Sequence, residues 1–224
     1  MTAERKMLFP FTNKDEILYW ANLYTEDQKP ERQRQEADVI KIKCSVADKG
    51  FLTRDELMKM GLWKRHTLPS QIKDNPDGHV EEITAEVFRL DDDWQKLEKL
   101  MDRCEGLDGV GQSVASTILH LYDPERYPVF DIHALYSIRI KKKEVEGDKK
   151  FWKEYVKYCQ AKAECHDVCM RTLDRALYKF SQSGAAFALK TITDEMFFLQ
   201  LKRRGSDLSR LRLDENTGEI VKIG

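Results

Sequence analysis

Two apolar stripes at helical spacing, joined by a short glycine-bearing link, constrain this chain more than any other feature. Trp94, Leu97, Leu100, Met101 and Cys104 recur on one face of a helix over 93–104. Val114, Ala115, Ile118, Leu119 and Tyr122 recur on one face of a second helix. About seven residues lie between the stripes, so the helices must fold back on each other as a hairpin. The link holds Leu107-Asp108-Gly109-Val110-Gly111. Gly109 and Gly111 accept positive φ and, without a Cβ, let the backbone approach another molecule closely. The second helix is expected to begin near Gly111 or Gln112. Its first N–H groups have no intrahelical partner and its dipole favours an anion, so a phosphate suits this end. A Gly-x-Gly link taken alone serves equally well simply to join two helices.

Asp131 lies 18 residues past Ser113, in the apolar setting Pro128-Val129-Phe130-Asp131. Val129, Phe130 and Ile132 are expected to limit water around the carboxylate and so strengthen its field. Asp131 is also a good N-cap for a helix carrying Ala134, Leu135 and Ile138. The two roles are compatible, since capping fixes the carboxylate in place.

Leu-x-Gly-Val-Gly-x-Ser-x-Ala over 107–115, followed by Tyr-Pro-Val-x-Asp-x-His over 127–133, resembles a known pattern. It is that of the helix-hairpin-helix DNA glycosylases with a Gly/Pro-rich loop and an essential aspartate, the HhH-GPD relatives of endonuclease III. The resemblance covers residues 105–133 directly. It implies that main-chain groups of Leu107, Gly109, Val110, Gly111, Gln112, Ser113 and Val114 grip the DNA backbone. It implies a monovalent cation, potassium or sodium, on the carbonyls of Glu105, Leu107 and Val110. Asp108 stands where the family usually has proline, a departure within that loop. Asp131 matches the essential carboxylate, which acts at the sugar of a nucleotide rotated out of the duplex. There it would stabilise positive charge developing on the sugar and position the attacking water.

Ser113 stands where bifunctional members carry lysine. A serine hydroxyl cannot form a Schiff base at C1′. The resemblance therefore implies a monofunctional DNA N-glycosylase of base-excision repair, acting on duplex DNA with a damaged or mismatched base and without Schiff-base lyase activity. A non-catalytic DNA-binding module using the same hairpin is the alternative, and a hairpin that contacts only proteins is a third. His133 either hydrogen-bonds backbone near its helix start or takes part in catalysis. Trp63 and Arg65, in Trp63-Lys64-Arg65-His66, are candidates for contact with DNA or a flipped base, because an aromatic is paired there with cations. His120 is expected to be structural.

Relatives often hold an iron–sulfur cluster on C-x6-C-x2-C-x5-C. Here Cys159, Cys165 and Cys169 run C-x5-C-x3-C with no cysteine after them, so no cluster is expected. Cys165 and Cys169 would share a helix face, and buried free thiols are expected. Five cysteines in all form no disulfide framework, which fits a reducing compartment. No apolar run of about 18 residues is present, and the first residues lack a signal pattern. A cytoplasmic protein is expected, at the nucleoid in a bacterium or in the nucleus of a eukaryote, monomeric and without a membrane partner. The net charge of −1 does not advertise nucleic-acid binding. It is uneven, with 19 basic against 25 acidic residues before position 131 and 19 against 14 from there on. DNA contact would rest on a local basic face, with Lys141-Lys142-Lys143 and Lys202-Arg203-Arg204 as candidates.

Helical patterns dominate elsewhere, and the fold class is all-α. Helices are expected over 12–24 with Ile17, Leu18 and Trp20 partly buried, and over 31–48 with Val39, Ile40, Ile42 and Val46 inward. Thr53 caps another to about Leu62, 64–78 reads as loop, and 79–90 is helical. A helix starts at Asp131, a long one spans 149–181, and Thr193 caps one over 194–204. The tail alternates around Asn216-Thr217-Gly218, which suits a small C-terminal β-hairpin. The resemblance implies two helical lobes: a barrel lobe over 31–130, with the hairpin at about 94–122, and a second lobe of 1–30 with 131–224. The flipped base would enter the cleft between them.

Overall fold

A computed structural model describes residues 7–64 and 70–183, together with the backbone of two short strands. The fold is all-α. Ten α-helices among the described residues run α1 Lys14–Glu26, α2 Pro30–Lys49, α3 Arg54–Lys64, α4 Ser70–Asp74, α5 Asp77–Arg89, α6 Asp93–Met101, α7 Gln112–Tyr122, α8 Ile132–Ser137, α9 Lys149–Cys165 and α10 Met170–Gln182. A 3-10 turn at Lys142–Glu144 links α8 to α9. β1 (Leu211–Leu213) pairs antiparallel with β2 (Ile220–Lys222), Arg212 opposite Val221. The expected helix at 194–204 and the Lys202-Arg203-Arg204 run lie outside the described residues.

Local chemistry explains the boundaries. Asn13 caps α1 by accepting from the Glu16 amide at 3.0 Å. Thr53 and Glu56 form a reciprocal capping box on α3, the Thr53 amide donating to Glu56 Oε2 at 2.9 Å. One Asp92 carboxylate oxygen accepts from both Trp94 and Gln95 amides at the start of α6. The segment expected as loop between 64 and 78 contains α4. Asn75 ends that helix by turning its side-chain amide back onto the Ile72 carbonyl at 3.1 Å.

The single helix expected over 149–181 is two, because a Schellman turn breaks it. Asp167 takes a left-handed φ of 49°. The Val168 amide then donates to Ala163 O at 3.0 Å and the Asp167 amide to Glu164 O at 3.1 Å. Cys165 therefore closes α9 while Cys169 caps α10, so they do not share a helix face. Only Cys159 is a buried thiol; Cys44, Cys104, Cys165 and Cys169 are exposed. Ile40 is exposed as well, since the buried stripe of α2 is Glu36, Val39, Ile42 and Val46 and a neighbouring position points about 100° away. Leu18 is exposed for the same reason beside buried Ile17.

α1 packs along α10, and α8 packs on α10 from another side. α2 packs on α3 and α7, α5 on α6, α6 on α7, and α9 on α6 and α10. One continuous apolar cluster runs through these contacts, with Leu97, Ile118, Phe130 and Trp152 fully buried within it. No helix among the described residues is long and apolar enough to cross a membrane.

Candidate functional site

The hairpin link is built as a rigid platform. Asn75 grips it with both ends of its side chain, Oδ1 accepting from the Asp108 amide at 2.8 Å and Nδ2 donating to the Asp108 carbonyl at 3.0 Å. Gly109 needs its glycine, because φ is +75° and a Cβ there would meet Ile72 at 3.0 Å. Gly111 does not use positive φ; at −95° it is the extended N-cap of α7. Leu107, Val110, Gln112 and Val114 are buried, main chain included, while Asp108 and Gly111 are exposed. Val110 and Val114 have already committed their amides, to Leu107 O and Gly111 O. The amides of Gly109, Gly111, Gln112 and Ser113 face no acceptor among the described residues. These four donors lie around the N-terminal end of an 11-residue helix, where the dipole is positive.

Between Tyr127 and Asp131 the chain forms no helix or strand, and several of its backbone polar groups are satisfied by side chains from α7 and α9. His120 Nδ1 meets Tyr127 O at 2.7 Å, and since a carbonyl only accepts, Nδ1 carries the proton. Burial pushes the His120 pKa down to about 4, which leaves the ring neutral. The Tyr155 hydroxyl donates to Val129 O at 3.2 Å. Ser113 Oγ donates to Phe130 O, and Ser116 Oγ accepts from the Phe130 amide, both at 2.8 Å. Ser113, on the first turn of the hairpin helix, thus helps fix the peptide immediately before Asp131.

Asp131 caps α8, its Oδ1 accepting from the His133 amide at 2.7 Å. Its Oδ2 is 2.6 Å from Lys64 Nζ, and the two side chains are only 15% and 10% exposed. Burial alone would raise the Asp131 pKa. The Lys64 ammonium and the His133 amide outweigh burial and hold the carboxyl below its usual range. Of the apolar neighbours expected to exclude water, Val129 and Phe130 are buried, while Ile132 points outward and is exposed.

Asp131 and Lys64 stand on the wall of a cavity of about 240 Å³. Trp63, Tyr24, Tyr178, Arg171, Asp174 and His133 also line it. Trp63 is held from behind. Its Nε1 donates to Glu36 Oε2 at 2.9 Å and the Arg171 guanidinium lies over its ring at 5.0 Å. Arg171 joins Glu36 on α2 at 2.7 Å to Asp174 on α10 at 2.5 Å. His133 Nδ1 sits 3.3 Å from Ser181 Oγ, and its ring meets the Tyr178 ring edge-on at 4.9 Å. Burial raises the Asp174 pKa, and the neighbouring Arg171 and Lys64 offset it only in part. The cavity wall therefore carries one carboxyl held charged and a second pushed toward its neutral form.

The site brings Trp63, Asp131 and His133 together, as their types suggested. Arg65 lies outside the described residues. Lys141 and Lys142 are tied into ion pairs with Glu144 and Glu146. Sequence reasoning missed Lys64, Arg171 and Asp174 as members of the site. A signal existed for Asp174, which interrupts the apolar stripe Met170, Leu173, Leu177 and Phe180, and for Glu36, which begins that of α2. No family model matches this chain, and no curated protein or solved structure matches it either.

Proposed function

We propose that this protein is a DNA N-glycosylase of base-excision repair that hydrolyses the N-glycosidic bond of a flipped, damaged or mismatched base. The observation that carries the reading is the placement of Asp131. Its carboxylate, held charged by Lys64 and the His133 amide, stands on a cavity wall, and the peptide just before it is fixed by Ser113 and Ser116 of the hairpin helix, whose first amides meet no acceptor among the described residues. One element would hold a backbone phosphate and fix the carboxylate that faces the sugar. On this reading the helices form two lobes, with 31–130 as the barrel lobe and 1–30 plus 131–224 as the second.

The chemistry follows from the charges. As the bond to the base breaks, positive charge develops on the sugar, and the fixed Asp131 carboxylate stabilises it without reorganising. The cavity lies just below the roughly 300–1,000 Å³ of sites for drug-sized ligands, which suits a single base. Trp63, Tyr24 and Tyr178 offer faces for stacking, and Arg171 offers hydrogen-bond donors to a base edge. Around the hairpin, the carbonyls of Glu105, Leu107 and Val110 would hold a potassium or sodium ion. Neutral carbonyl oxygens are the right donors for an alkali cation, and one already accepts from Val110. Such an ion would stiffen the link and add positive charge near the phosphate.

A second reading is a non-catalytic DNA-binding module, favoured by the two contacts that already occupy Asp131, the α8 cap and the Lys64 pair. The experiment is a panel of duplexes, each with one lesion or mismatch, treated with hot alkali to reveal abasic sites, alongside Asp131→Asn. Asparagine keeps the cap oxygen and loses the charge. Base release from one duplex, lost in Asp131→Asn with DNA affinity kept, is the expected result. Clear binding with no release from any duplex would favour the non-catalytic module.

A further inference from the structure

Position 113 supplies a hydroxyl, but the site is not without an amine. Among the described residues the primary amine nearest to Asp131 is Lys64, brought in from the last turn of α3. We infer that Lys64 is a nucleophile, forming a Schiff base with the C1′ aldehyde of an abasic sugar seated beside Asp131. The claim rests on the reading above in one respect, that the cavity receives a DNA sugar.

Three observations converge on it. Lys64 and Asp131 both line the cavity, so an occupant meets the amine and the carboxylate together. Both side chains are nearly buried, unlike the equally short but exposed pairs of Lys14 and Lys59, so little solvent competes for the amine. A nearly buried ion pair also contributes little to stability against an apolar pair of the same volume, so stability is a poor account of it. The contact of 2.6 Å gives the ammonium a direct proton acceptor, which amine attack requires.

The step balances without an oxidant or reductant. Lys64 passes one proton to Asp131, and its free amine adds to the C1′ aldehyde carbon. Asp131 returns that proton to the carbinolamine hydroxyl, which departs as water and leaves a protonated imine. The Asp131 carboxylate then removes a C2′ proton, the electrons move into the sugar, and the C3′–O bond breaks with phosphate as the leaving group. Hydrolysis of the imine frees Lys64. Strand cleavage thus follows base removal even though Ser113 cannot take part in it.

The test uses the whole chain and a duplex carrying a preformed abasic site, which needs no base release. Borohydride reduces any imine to a permanent amine, and the adduct is read on a denaturing gel. Wild type and Lys59→Ala, on an exposed part of the same helix, are expected to trap the duplex equally. Lys64→Ala and Lys64→Arg are expected to trap at least about a hundredfold less. Arginine preserves the charge pair with Asp131, so a loss in that variant cannot come from misfolding around an unpaired carboxylate. Peptide mapping of the wild-type adduct should place the sugar on Lys64. No wild-type adduct, or undiminished trapping in Lys64→Arg, would overturn the inference. Base release without trapping would sink Lys64 as nucleophile and leave the glycosylase reading standing. Trapping on Lys64 with no base released from any duplex would do the reverse.

Discussion

Ser116→Ala tests the device that holds Asp131. Ser116 is fully buried, and its hydroxyl oxygen is the acceptor for the Phe130 amide at 2.8 Å. Alanine removes the acceptor and leaves that N–H in an apolar setting, since Phe130 is itself fully buried. The carbonyl of Ser113, to which Ser116 also donates, keeps its bond from Thr117 at 2.8 Å. One buried orphan is therefore created, with an expected loss of about 1–3 kcal/mol. For a chain of this length that corresponds to a fall in Tm of roughly 2–12 °C. A shift of the 130–131 peptide by ~1 Å would slow the chemical step by about a hundredfold. The assay is thermal unfolding by circular dichroism, duplex affinity, and base release on the substrate found by the panel. Thr117→Val calibrates it, because the Thr117 hydroxyl bonds only within its own helix. Stability and activity should both fall in Ser116→Ala, while duplex affinity stays, since the hairpin amides are untouched. Wild-type Tm with wild-type base release would refute the idea that α7 hydroxyls position Asp131.

Gly109→Ala forces a side chain into a left-handed φ and against Ile72, so duplex affinity should drop about tenfold with the choice of lesion unchanged; equal affinity by titration would remove the link from the DNA contact. His120 has a folded pKa of about 4 against 6.5, so its contribution is complete above pH ~6.5 and is lost as pH falls toward 4, roughly 3 kcal/mol in all; urea unfolding at several pH values should show this slope, and His120→Gln should flatten it. Glu36 is buried, but Arg171 and Arg175 hold its pKa at about 2, so its stabilisation is present above the usual glutamate range near pH 4.5 and is lost as pH falls through 2. Glu36→Gln leaves Arg175 without a carboxylate and takes one of two from Arg171, and should cost about 3–5 kcal/mol at neutral pH, measured by the same unfolding series; a cost near zero would mean that a neutral amide oxygen satisfies both guanidinium groups.

What the sequence disclosed follows from the range of the interactions involved. The hairpin was legible because each helix carries its own apolar period and Gly109 sits at a turn between them. Capping chemistry is equally local, so Thr53 and Asp131 could be read as caps within one turn of chain. The break at 166–169 was missed because its left-handed residue is Asp167, where glycine would have marked it. The serine at 113 could be seen to lack an amine, but not that Lys64 closes on the carboxylate of Asp131, 67 residues from it in sequence. Contacts of that separation depend on how α3 packs against α2 and α7, which no local period encodes.

On the proposed reading, the charge pattern of the cavity reconciles a net charge of −1 with a polyanionic ligand. Long-range attraction depends on where charges sit, and low-dielectric walls concentrate their field. Arg32, Lys64 and Arg171 line this cavity against Asp131 and Asp174. Three cationic side chains against two carboxyls leave the wall net positive even though the chain as a whole is slightly acidic. Asp131 escapes neutralisation because Lys64 holds it charged. The same two carboxyls therefore differ: Asp131 is kept as an anion where positive charge would develop on the proposed reading, while burial raises the pKa of Asp174, which pairs with Arg171. An abasic product would keep Lys64 opposite an electrophilic carbon, so the ammonium that maintains Asp131 as an anion in one step becomes, after losing a proton to it, the nucleophile of the next.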